Sequence, residues 1–354
     1  MRSIRNLKNL KGKVVLLRVD FNVPIKDGKV ADDFRIRKAI PTIKYLHDRG
    51  AKIIILAHLG KDGSESLSPV VKSFFRISRL SKDDVFFFNN IRQFKGEMNN
   101  DARFAKKLAE LGDIYVNDAF SVSHRPHASV VAVAKYLPSY AGFQLEEEVK
   151  NLSKALVKPR RPFLFILGGA KFSTKMPLIK KYLKLADYVF IGGALASDFL
   201  KARGYEVGKS LVDGKSDGIA TLLRNKKLIL PTDVVVRSSK KLKNKKVEEV
   251  GKNDSIIDVG EESLEKLAEL AVDAKMVLWN GPLGKYEDGG DVSTKKLLQV
   301  VSRTRGESII GGGDTVAVLS EMKLEKKFTF VSTGGGATLD FLAKGTLPGI
   351  KALD

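Results

Sequence analysis

The chain of 354 residues contains no cysteine. Disulfides, thiolate zinc sites and thiol nucleophiles are thereby excluded together. Tryptophan occurs once, and long apolar runs are missing: the longest early one, Val14–Leu17, is far short of the ~18 residues that span a bilayer. No signal-peptide core precedes it, so a cytoplasmic enzyme with no membrane association is expected. Acid is scarce as well, with 41 Asp and Glu against 62 Lys and Arg and a formal net charge of +21. The remaining composition, 43% hydrophobic and 29% charged, is that of a folded soluble protein and excludes disordered and collagen-like architectures. The length suits about two domains of roughly 100–200 residues each.

Surplus cations suit phosphate, whether on nucleic acid or on a small anionic metabolite. Residues 1–153 hold 27 basic and 17 acidic residues, and residues 154–354 hold 35 and 24, so the charge is spread and not carried by a tail. The densest run, Ser239–Lys246 with lysine at 240, 241, 243, 245 and 246, has no aromatic residue interleaved for base stacking. It reads as a solvated face or loop, and nucleic acid is disfavoured as a partner.

Short runs rich in Val, Ile and Phe recur at Val14–Val19, Ile53–Ala57, Val85–Phe88, Ile114–Val116, Phe163–Leu167, Tyr188–Ile191, Leu228–Leu230 with Val234–Val236, Ile256–Val259, Met276–Trp279, Ser308–Ile310 and Phe328–Val331. Helical spacing separates them, as in Arg35–His47 and Ser263–Val272. This alternation predicts an α/β protein of doubly wound, Rossmann-like parallel sheets covered on both faces. A helix over Glu146–Val157, stopped by the prolines at 159 and 162, marks the divide and reads as a hinge between the lobes.

Ligands of open α/β sheets bind beyond the carboxyl ends of the strands. In the first half those ends carry side chains: Asp20 and Asn22, His58, Asn90 and Asp118. Arg35, His58, Lys61, Arg125 and Arg161 could converge there on an acidic metabolite. In the second half the ends carry glycine pairs and triplets, which let backbone N–H groups approach phosphates. Two standard fingerprints fail: Gly204–Ser210 is one residue short of a P-loop, and Gly311–Thr315 lacks the third glycine of the dinucleotide motif. Asp314 could hold Mg²⁺ against nucleotide phosphates, and Thr315 could cap the next helix. Lys171 and Lys175, four apart at a helix start, oppose the macrodipole and should have an anionic partner. Glu287, beyond the Trp279–Tyr286 turn, could bond ribose hydroxyls.

Taken together, RVDFNVP, DDFRIRKAIPTI, AHLG, VNDAFSVSHRPHAS, RPFLFILGGAK, LPTDVVV, IIDVGEES, WNGPLGKYE, IIGGGDT and VSTGGGATLD, in this order, closely resemble the phosphoglycerate kinase family. The resemblance runs from about Val14 to Pro348 and implies two lobes joined by a hinge helix. Residues 1–153 would bind 3-phosphoglycerate, residues 154–337 the Mg-nucleotide, and a tail over 338–354 would pack back on the N-terminal lobe. The implied reaction moves the C1 acyl phosphate of 1,3-bisphosphoglycerate to ADP, giving 3-phosphoglycerate and ATP, in a monomer.

Asp20 and Asn22 would hold the hydroxyl and carboxyl end of the glycerate, Arg35 the transferring phosphoryl group, and His58, Arg125 and Arg161 the glycerate and its 3-phosphate. Lys171 and Lys175 would contact nucleotide phosphates, with Lys175 following the group in flight. Gly192 and Gly193 would flank the adenine, Asn280 would reach phosphate and Glu287 the ribose. Gly312, Gly313, Asp314 and Thr315 would bind phosphate and Mg²⁺. The family commonly has arginine where Lys61 stands, glycine at Ala194 and proline at Glu261. A carboxylate is both nucleophile and leaving group in this reaction, so an active site of cations and backbone N–H groups suffices. The rival from another class, a basic RNA-binding protein on a retired kinase fold, is opposed by the retained Lys175, Glu287 and Asp314.

Overall fold

Runs of β-branched and aromatic residues too short to be helices become strands buried on both faces. The computed structural model describes residues 1–170, 172–214, 218–239 and 241–354. Two compact units arise, residues 1–150 with 344–354 and residues 151–343. These limits differ by a few residues from the 153/154 and 337/338 divisions drawn from the sequence.

In the first unit, β1 (Val14–Arg18), α1 (Phe34–His47), β2 (Lys52–Leu56), α2 (Ser68–Ser78), β3 (Val85–Phe87), α3 (Ala102–Ala109), β4 (Ile114–Asn117), β5 (Ser139–Ala141) and α4 (Phe143–Lys154) follow in order. The sheet order is β3-β2-β1-β4-β5, all parallel. Phe87 of β3 stacks on Phe21 and meets Phe74 of α2 edge-on, and the Phe21 and Phe74 rings are tilted to each other. Each fully buried aromatic there contributes about 1.5–3 kcal/mol of hydrophobic stabilisation.

Helix α4 begins a turn earlier than its sequence pattern predicts. The buried Asp118 carboxylate accepts the N–H groups of Gln144 at 2.8 Å and Leu145 at 3.2 Å. That cap comes from the far end of β4 and has no local signature. The tail returns to this unit through Gly349, whose N–H donates to Ser123 at 2.8 Å.

In the second unit, β6 (Phe163–Leu167), α5 (Phe172–Leu185), β7 (Tyr188–Ile191), α6 (Gly193–Ala202), β8 (Leu228–Ile229), β9 (Asp233–Ser238), β10 (Lys241–Lys246), β11 (Asp254–Val259), α7 (Glu261–Asp273), β12 (Met276–Asn280), α8 (Val292–Val301), β13 (Glu307–Gly311), α9 (Gly313–Glu321), β14 (Phe330–Val331) and α10 (Gly336–Lys344) build two sheets. The main one is parallel, in the doubly wound order β8-β7-β6-β12-β13-β14.

The other sheet departs from expectation. Val234–Val236 and Ile256–Val259 lie in an antiparallel sheet of order β10-β9-β11 and not in the parallel one. The lysine run supplies its edge strand, β10, where exposed lysines block further pairing. The pattern alone cannot reveal this, since a short apolar strand reads alike in either kind of sheet.

Candidate functional site

In both doubly wound sheets the strand order reverses beside the first strand, β1 or β6, the point at which such sheets take ligands beyond their carboxyl ends. In the first unit this edge gathers cations. Arg35, in the first turn of α1, pairs with Asp20 just beyond β1, and its Nη1 also donates to the Asn22 carbonyl at 3.3 Å. Asp20 further accepts from the Ser121 hydroxyl and from the Asn22 N–H at 3.0 Å. Burial raises the Asp20 pKa, but Arg35, His58 and these hydrogen bonds outweigh it, and the net shift is downward. Asn22 Oδ1 accepts from the Gly60 N–H at 3.0 Å, which ties the β1 loop to the loop carrying Lys61.

Arg92 belongs to the same cluster and was not anticipated. Its Nη1 donates to the carbonyls of Gly60 at 2.5 Å and Lys61 at 3.4 Å. Burial, then Arg125 and Arg18, push its pKa down. A lone arginine in the turn Ile91–Gln93 has no telling spacing. Its signal was position, beyond the carboxyl end of β3 next to Asn90. Arg125 is exposed and donates to His124 Nε2 at 3.3 Å. His127 is held to about 4 by burial and by Arg18, Arg92, Arg125 and His124. Arg35, His58 and Arg92 thus face Asp20, and Arg125 lies close enough to Arg92 to lower its pKa.

Arg161 takes its partners from its own unit. It belongs to the second unit, at the amino end of β6, where it pairs with Asp187 and donates to the Leu185 carbonyl at 3.0 Å.

In the second unit the strand exits interlock. A Cβ on Gly168 would lie 1.9 Å from the Pro282 carbonyl oxygen, and one on Gly193 would lie 2.5 Å from the Gly169 nitrogen. Only glycine lets the exits of β6, β7 and β12 touch in this way. They wall a cleft of about 440 Å³, within the usual ~300–1,000 Å³ of small-ligand sites. Gly193, Glu287 and Asp314 line it, together with Leu211, Ile257 and Leu283, which the sequence did not single out. Gly192 packs on Leu283, and Gly312 approaches the Gly281 nitrogen. Asp258, also in the lining, accepts the Ser293 N–H at 2.9 Å, and burial pushes its pKa up to about 6.

Lys175 projects from the first turn of α5, is 8% exposed, and donates to the Gly168 carbonyl at 2.5 Å. Burial lowers its pKa to about 8 against the opposing pull of Asp314. Asn280 Nδ2 and Thr315 Oγ1 are buried without a hydrogen-bond partner among the described residues. Thr315 does not cap α9 as expected: Gly312 is the N-cap, without a side-chain bond, and Thr315 lies inside the helix. Gly313 and Asp314, in its first turn, are exposed. Lys171 lies outside the described residues.

Two doubly wound units, one gathering arginines about Asp20 and the other combining a glycine-walled cleft with a buried lysine on the first turn of α5, have the make-up of an α/β phosphotransferase. The phosphoglycerate kinase family profile matches residues 4–77 and 75–345. A phosphoglycerate kinase from Dictyoglomus turgidum is 42% identical over 98% of this chain and 96% of its own length. One from Coprothermobacter proteolyticus is 42% identical over 100% and 98%. The solved phosphoglycerate kinase structure from Coxiella burnetii superposes with a TM-score of 0.86 at 37% identity, covering 99% of this chain and 98% of that one. The one from Pyrococcus horikoshii gives 0.89 at 28% identity, covering 100% and 98%. The chain belongs to the phosphoglycerate kinase family. It is accordingly an enzyme, a kinase of a glycolytic family whose substrates include a nucleotide. Among the described residues no helix is long and apolar enough to cross a membrane.

Proposed function

We propose that the chain catalyses the reversible transfer of the C1 acyl phosphate of 1,3-bisphosphoglycerate to ADP, giving 3-phosphoglycerate and ATP. The observation that carries this reading is the second unit's phosphate corner. There, among the described residues, a buried lysine donates to a carbonyl alone, and the Asn280 amide beside Gly311 and the Thr315 hydroxyl next to Asp314 are buried without a partner. Each unsatisfied buried group costs about 1–3 kcal/mol, which anionic oxygens of a nucleotide would recover. Lys171, Lys175, Asn280, Gly312, Gly313 and Thr315 would hold the phosphates, Gly192 and Gly193 the adenine, and Glu287 the ribose.

Mg²⁺ fits the residues present as a passenger of the nucleotide. Asp314 offers one exposed carboxylate, and among the described residues no three His, Asp or Glu side chains form a protein-only cage. Bound there, it would neutralise phosphate charge.

In the first unit, Asp20 and Asn22 would hold the hydroxyl and carboxyl end of the glycerate, Arg35 the transferring phosphoryl group, and His58, Lys61 and Arg125, joined by Arg92, the glycerate and its 3-phosphate. Arg161, committed to Asp187, is left out. No residue has to take a proton, because the phosphoryl group passes from a carboxylate leaving group to an already ionised β-phosphate oxygen of ADP. Arg35 and Lys175 act by neutralising the phosphoryl group as it passes. Transfer between ligands held on separate units requires the units to close, and α4, which carries the chain from one to the other, is the hinge we infer. The reading includes a monomer in the cytoplasm.

Purified protein given 3-phosphoglycerate and MgATP should form 1,3-bisphosphoglycerate, followed by coupled NADH oxidation with Lys175→Ala as control. A folded sample that binds both substrates without turnover would sink the proposal.

A further inference from the structure

Beneath the first unit's cation cluster runs a buried chain of hydrogen bonds whose direction is set at every link. Glu97 is fully buried, and its carboxylate accepts the Ser129 N–H at 2.8 Å and the Ser129 O–H at 2.7 Å. With its proton given to Glu97, Ser129 Oγ can only accept, and Arg18 Nε donates to it at 2.9 Å. Arg18, fully buried at the end of β1, also donates from Nη1 to the carbonyls of Val19 at 2.6 Å and Leu56 at 3.3 Å. Its Nη2 stands 3.2 Å from His58 Nδ1. A guanidinium has five donors and no acceptor, so His58 Nδ1 must be the acceptor.

We propose that Arg18 is a positioning residue that fixes the tautomer of His58, keeping Nδ1 unprotonated and Nε2–H as a permanent neutral donor to an anionic oxygen of the substrate. The proposal deepens the substrate reading of the first unit and rests on it for the identity of that oxygen. A second proton on Nδ1 would break the bond to Arg18 and set a cation against a buried cation. The charged groups facing His58 come from four places: Arg18 on β1, Asp20 beyond it, Arg35 on α1 and Arg92 in the turn after β3. Burial and the three arginines disfavour the imidazolium, Asp20 alone favours it, and the His58 pKa falls well below its ordinary 6.5. A histidine without this lock would exchange tautomers and charge up in mildly acidic solution. Locked, it presents the same hydrogen to substrate across that range, and the cluster's affinity does not wander with pH on its account.

Long-range ¹⁵N–¹H spectra of the full chain with labelled histidine test this directly, over about pH 5.5 to 8. His58 should show a bare Nδ1, a protonated Nε2 and no titration. A protonated Nδ1, or ordinary histidine titration, overturns the proposal in the wild-type protein alone, whether or not any variant folds. In Arg18→Met the tautomers should mix and His58 should titrate, and Arg18→Lys should restore the bare Nδ1. KM for 3-phosphoglycerate should rise on the order of tenfold in Arg18→Met, the loss of about one hydrogen bond, and should become pH-dependent while kcat changes less. An unchanged His58 tautomer in folded Arg18→Met overturns the assignment. The two readings fail separately: if 3-phosphoglycerate moves no His58 resonance while the tautomer stands, the substrate reading falls and the lock remains.

Discussion

Replacing Lys175 by methionine should make the ligand-free protein more stable while disabling it. The lysine's pKa is lowered from 10.5 to about 8, chiefly by burial. At 1.36 kcal/mol per pKa unit, keeping its charge in place costs about 3 kcal/mol below pH 8. Methionine has similar length and no charge, so it removes that cost. It also leaves the Gly168 carbonyl without its charged donor, a loss of about 1.5–3 kcal/mol that offsets part of the gain. The net expectation is a gain of about 1 kcal/mol, or a rise of roughly 2–4 °C in the melting temperature of a unit this size.

The sign has a pH signature. A lysine with a lowered folded pKa destabilises most below that pKa, and the penalty fades as pH rises from about 8 to 10.5, where the unfolded chain also loses its proton. Urea unfolding at pH 7 and near pH 10 should therefore show the variant's advantage at the lower pH and its decline at the higher. In the same sample kcat should fall on the order of 10²–10³, as for loss of one preorganised charge. A variant clearly less stable than wild type at pH 7, or an advantage that does not change with pH, would refute the account of Lys175 as a cation held under strain for its ligand.

Two further expectations concern buried polar groups. Burial raises the Asp118 carboxyl from 3.8 to about 7 against its hydrogen bonds, so its contribution to stability is full below about pH 4 and is lost as pH rises through 7. Asp118→Asn, whose Oδ1 can still accept from Gln144 and Leu145, should flatten the pH dependence of the first unit's unfolding across that window, and a wild-type stability that does not decline there contradicts the reasoning. Asn280→Leu should leave the ligand-free fold as stable as before, because its Nδ2 has no partner to lose, yet weaken ADP binding roughly ten- to hundredfold by calorimetry. Unaltered ADP affinity would remove Asn280 from the phosphate corner.

Much of the site was legible in advance because a parallel sheet collects ligands at strand ends, and strand ends can be read from where apolar runs stop. Asp20, Asn22 and His58 lie at such stops and do meet, as do Gly193, Glu287 and Asp314 around the cleft. Arg92 and Arg161 show the limit. Both lie beside apolar runs, yet Arg92 is drawn under the Gly60 carbonyl and Arg161, next to Arg160, is held by Asp187 at the amino-terminal end of its sheet. Their side of the run separates them, one following a strand and the other preceding one, and the sheet order then decides which loops meet.

Alternation of short buried strands with amphipathic helices, and the placing of charged side chains in one half and glycines in the other, follow from residue order alone, because hydrophobic periodicity and backbone freedom are local properties. The antiparallel β10-β9-β11 sheet, the Asp118 cap of α4, the buried path from Glu97 to His58 and the depressed Lys175 required residues far apart in the chain to be packed together. Desolvation and hydrogen-bond direction depend on what surrounds a group in space. That surrounding is decided by the fold.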